Sequence, residues 1–142
     1  MLTHYLQTAN ELLSDLIETT QYDIEDIKQA KHESVFSRTK TKDELVKSFE
    51  HHKSLIDNEI AKMVQGAENP SLENLLNDEQ RSLLDAMRAN LQTLQTTNKR
   101  FASMVISVSN FYSSLINRLI PTEQVGYENH RAKSASYLQI KG

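Results

Sequence analysis

The 142-residue chain is 38% hydrophobic and 25% charged, with a net charge of -3, which suits one domain with a modest core and leaves no room for an enzyme of two lobes. It has no cysteine, no tryptophan and no cluster of five or more Lys or Arg, so disulfide support, nucleic acid and insertion into or onto a membrane are all poor fits. The opening MLTHYLQTANELL lacks a basic segment ahead of an apolar run, and a cytoplasmic setting with a protein partner is therefore expected.

The first predicted helix runs near residues 3–37. Its apolar seam passes through Leu6, Ala9, Leu13, Leu16, Thr20, Ile24 and Ile27 in steps of three and four, and no Gly or Pro interrupts the chain before Gly66. Residues 1–27 hold Glu11, Asp15, Glu18, Asp23, Glu25 and Asp26 with no Lys or Arg. Residues 28–53 reverse the balance with Lys28, Lys31, Arg38, Lys40, Lys42, Lys47 and Lys53. A chain that folds back near residue 38 brings the two charge sets together and so favours one antiparallel register.

The second predicted helix covers 41–65. Thr41 followed by Glu44 fits a capping box, and Leu45, Phe49, His52, Ile56, Ile60 and Met63 continue the seam. GAENP, from Gly66 to Pro70, is the clearest turn.

The third predicted helix covers 72–120, on the order of 70 Å if unbroken. Its seam steps through Leu91, Leu94, Asn98, Phe101, Val105, Val108, Tyr112, Leu115 and Leu119, and extends backwards through Met87, Leu83, Gln80 and Leu76 with one stutter. Asn98 within that seam suits a register-setting hydrogen bond. From Phe101 to Ile120 the only charge is Arg118, and a second apolar line of Ala102, Ile106, Ile116 and Ile120 runs beside the first, with Met104 and Phe111 between them. One neighbouring helix cannot cover both lines. Seven Ser and Asn residues in this stretch rule against a membrane span. The two readings left are a wide core face and a surface kept for another protein.

Together these segments predict an all-α, elongated antiparallel bundle or coiled coil of about three long helices over 1–120, with a flexible C-terminal tail at 121–142. Pro121 ends the third helix. The tail has weak periodicity, and Tyr127, Tyr137, Leu138 and Ile140 are its candidate apolar anchors for a partner.

No catalytic constellation is visible. None of His4, His32, His51, His52 and His130 has a Glu three residues before it, as a di-metal bundle site requires, and adjacent His51 and His52 diverge by about 100° on a helix. There is no cysteine nucleophile and no phosphate-cradling glycine loop. No enzyme, cofactor or metal is expected.

The order LLSDLIETTQYDIEDIKQAKHESVF, KTKDELVKSFEHHKSLIDNEI and LQTLQTTNKRFASMVISVSNFYSSLINRLIP resembles the flagellar export chaperones of the FlgN type over nearly the whole chain. Asn98 falls where that family's last helix typically carries asparagine, whereas Phe101 stands where a second asparagine often follows. The resemblance implies a cytoplasmic type III export chaperone whose last helix and tail grip the amphipathic C-terminal helices of hook-associated proteins. It also implies a possible contact with the export apparatus. Ala102, Met104, Ile106, Phe111, Ile116 and Ile120, with the four tail anchors, are then the expected partner-binding residues, on a monomer or weak dimer. A structural coiled coil or homodimeric adaptor that uses the same surface on itself is the other reading.

Overall fold

The computed structural model describes residues 1–68 and 71–119, and these are all-α, with no strand among the described residues. Helix α1 spans Leu2–Lys28, α2 His32–Gln65, the single turn α3 Leu72–Leu75, and α4 Asp78–Leu119. The three long helices form an elongated bundle in which α1 is the shared partner of α2 and α4. At 1.5 Å per residue they measure about 40, 50 and 63 Å.

Helix α1 is innermost because its seam is apolar along its whole length. Leu2, Leu6, Ala9, Leu13, Leu16, Thr20, Asp23, Ile24 and Ile27 are all buried. Thr20 is accommodated there by donating its hydroxyl to the Leu16 carbonyl at 2.8 Å, which leaves no orphaned polar group. By contrast, Ile56 is the one buried residue of α2. Leu45, Phe49, His52, Ile60 and Met63 of that seam are half-buried. The densest packing lies where the helices start: Leu2, Leu6, Ala9, Ile56 and Leu76 form one cluster, flanked by Tyr5, Phe49, Met63, Leu83 and Met87. Each of the larger side chains here contributes roughly 1.5–3 kcal/mol of burial.

The register of α4 along α1 is set by amides. Gln80 Nε2 donates to Thr3 Oγ1 at 3.2 Å, Asn10 Nδ2 to the Leu83 carbonyl at 3.0 Å, and Asn90 Nδ2 to Asn10 Oδ1 at 3.1 Å. Asn98, the expected register residue, is half-buried. The Asn10–Asn90 pair takes that role.

Three expected boundaries are corrected. The first helix ends at Lys28 and not near 37, because the chain reverses at residues 29–31. There Ala30 adopts φ 60°, its N–H donates to the Ile27 carbonyl at 3.1 Å, and the Lys31 N–H donates to the Asp26 carbonyl at 2.8 Å. This is a left-handed helix cap, built on alanine where glycine is usual. Thr41 and Glu44 consequently lie inside α2 and cap nothing. The helix expected over 72–120 is broken at residues 76–77. Its true start is a reciprocal capping box: the Gln80 N–H donates to Asn77 Oδ1 at 2.8 Å and the Asn77 N–H to Gln80 Oε1 at 3.1 Å.

Candidate partner-binding surface

The end of the bundle that carries the α1–α2 turn, here the distal end, is held by charge. Asp23, with its side chain 2% exposed, accepts from Arg38 Nη1 and Lys42 Nζ, each at 2.9 Å, and Arg38 Nη2 reaches Asp26 Oδ2 at 2.6 Å. Thus the acidic first segment and the basic second segment do meet, at a register set by the turn at Ala30. Hydrogen bonding to Asp23 first, and to Asp26 second, raises the Arg38 pKa above its ordinary value. Lys42 also lies 4.5 Å from the centre of the Phe101 ring, a cation–π contact that brings α4 into the same cluster. An apolar side chain in place of Asp23 would leave two partly buried cations facing each other.

Beyond this cluster the core opens. Ile27 lies abreast of Val108, and two adjoining clefts of about 250 and 390 Å³ share Ile27, Ser107 and Val108, so they form one groove between the end of α1 and α4. One half is walled by Ala30, His32, Phe111 and Tyr112. The other is walled by Met104 and Ser103, with Lys28 and Arg100 supplying the charge. The groove contains no carboxylate. Its chemistry is that of an apolar trough with a cationic rim, suited to apolar anchors accompanied by an acidic group. Among the described residues no group of three His, Cys, Asp or Glu could hold a metal, and no helix is long and apolar enough to cross a membrane.

Since α1 ends abreast of residue 108, α4 continues past it. His32, at the start of α2, meets Tyr112 edge-on with ring centres 6.2 Å apart. Exposure rises there: Phe111 is 64% exposed, Tyr112 45% and Leu115 41%, while Phe36, one turn along α2 from His32, is 76% exposed. These four aromatic and aliphatic groups lie at one end of the molecule, which is an unusual grouping for a closed surface.

The expected site residues are distributed as follows. Phe111 and Met104 line the groove. Ala102, Ile106 and Ile116 are half-buried, as are Phe101, Val105 and Val108 of the neighbouring seam. The expected division between a core line and a partner line therefore does not follow exposure, since Tyr112 and Leu115 of the first line are the exposed ones. Phe36 carried no signal in the sequence, because a single phenylalanine in a polar stretch has no periodic context. Among the histidines, His51 is exposed and His52 half-buried, its ring 6.4 Å from that of Tyr5. Ile120, Tyr127, Tyr137, Leu138 and Ile140, with the whole of the expected tail, lie outside the described residues. Comparison with protein-family models, with curated proteins and with solved structures gives no match to this chain.

Proposed function

We propose that the protein is a cytoplasmic export chaperone of the FlgN type, which binds amphipathic C-terminal helices of hook-filament junction proteins and keeps them soluble until export. The observation that carries this reading is the apolar set Phe111, Tyr112, Leu115 and Phe36, left exposed beside a trough at the distal end of the bundle. An amphipathic helix laid along that end would cover those side chains with its own apolar face, and binding would need no chemistry. The resemblance in the order of the three segments supports the choice of client.

Titration calorimetry with a purified C-terminal segment of a hook-filament junction protein tests the proposal. Burial of each exposed side chain is worth roughly 1.5–3 kcal/mol, so Phe111→Asp with Leu115→Asp is expected to weaken binding by about 100-fold or more. Both positions are already in water, so the melting curve should barely move, whereas Leu13→Asp, fully buried in α1, should unfold the bundle. Failure of the native chain to bind any such segment would overturn the reading. A stable dimer in light scattering, lost in the same double variant, would replace it with the self-associating coiled coil.

A further inference from the structure

The groove between α1 and α4 has a natural occupant in the chain itself. Helix α4 is described to Leu119, and the groove at Val108 lies eleven residues back along it, about 16 Å in helical rise. From Leu119 to Tyr127 there are eight residues, which reach at most about 26–29 Å when extended. Tyr127 can therefore return to the groove with length left for a reversal. Pro121 provides the helix stop that a reversal needs, and Gly126 frees the backbone just before the tyrosine.

Charge points to the same segment. Residues 121–130 contain Glu123 and Glu128 and no Lys or Arg, while the groove has a cationic rim of Lys28 and Arg100 and no acid. The remaining tail, residues 131–141, is basic, with Arg131, Lys133 and Lys141, and would be repelled by that rim. The wall also contains an unmet polar group: His32 Nε2 is buried with no hydrogen-bond partner among the described residues. A tyrosine suits such a site, because its ring fills an apolar cleft and its hydroxyl can donate to an imidazole nitrogen.

We propose that residues 125–128 fold back onto this groove, with the Tyr127 ring between Val108, Phe111 and His32 and with Glu128 facing Lys28 and Arg100. The segment then acts as a strap over part of the surface assigned to the client, and a client must displace it. The displacement rests on the function proposed above; the contact within the chain does not.

Because the chain has no cysteine, disulfide trapping in the full-length protein can test both parts. Asn129→Cys is combined with Ser103→Cys in the groove, or with Ser37→Cys, which is exposed at about the same level on α2. An intramolecular bond to position 103 is expected to form about tenfold faster than one to position 37, as a raised local concentration requires. Adding Tyr127→Ala should erase the difference. Equal rates, or covalent dimers as the main product, would overturn the strap, the dimers in favour of a second copy in the groove. A hook-filament junction segment should slow the trapping at 103. If it binds and leaves the rate unchanged, displacement is wrong; if it fails to bind while trapping stays fast, the chaperone reading fails and the strap stands.

Discussion

Ala30 carries the reversal of the chain in a conformation that side chains resist. At φ 60° its Cβ crowds the following carbonyl, at a cost of roughly 1–2 kcal/mol relative to the right-handed region. Ala30→Gly removes that crowding but adds freedom to the unfolded chain, so the expected net gain is about 0.5–1 kcal/mol. Thermal unfolding would show it as a melting point a few degrees higher. A lower melting point would mean that the Ala30 methyl, which lines the groove, contributes more by packing than it costs in strain. The same residue explains why the first junction was not legible. Turn signals in a sequence are Gly, Pro, Asn and Asp, and QAKH has none. The wholly polar run from Ser37 to Thr41 imitated a break instead, although Arg38 and Lys42 within it are polar because they face Asp23.

At the scale of elements, the seam of α1 was legible residue by residue, since one helix flanked by two others must be apolar wherever they touch it. The start of α4 was not. Thr41 with Glu44 and Asn77 with Gln80 both fit a capping box, and local pattern does not choose between them. Packing does: α2 remains against α1 through the Asp23 cluster, whereas Asn77 follows buried Leu76 at the point where the chain leaves the proximal core. Asn77→Ala is therefore expected to destabilise the protein by about 1 kcal/mol, the usual worth of an N-cap, and Thr41→Ala by far less. Chemical denaturation with an unchanged slope would measure both. Equal losses would place a helix boundary at Thr41 after all. The exposures along the end of α4 escaped the sequence for a related reason. Tyr112 and Leu115 continue the heptad faultlessly, but a seam is buried only as far as its partner extends, and α1 stops abreast of Val108.

The whole molecule is consequently graded along its axis. At the proximal end Leu2, Leu6, Ala9, Ile56 and Leu76 are packed from three helices, and the Asn10–Asn90 amides join α1 to α4. At the distal end the ties are the Asp23 cluster and one cation–π contact, with exposed apolar groups beyond them. Opening free energy follows the density of buried apolar contacts, so hydrogen exchange should be slowest in residues 6–20 and 83–94 and approach the global unfolding limit there. Residues 111–119, which have no facing length of α1, should exchange through local opening and faster by orders of magnitude. Binding a partner helix at this end should slow their exchange while leaving residues 6–20 unchanged, because those amides already open only with the whole fold. Uniform protection along α4 in the free protein would sink the graded picture, and with it the reason for a partner at the distal end. Added protection confined to the proximal helices would move the partner to the opposite end of the bundle.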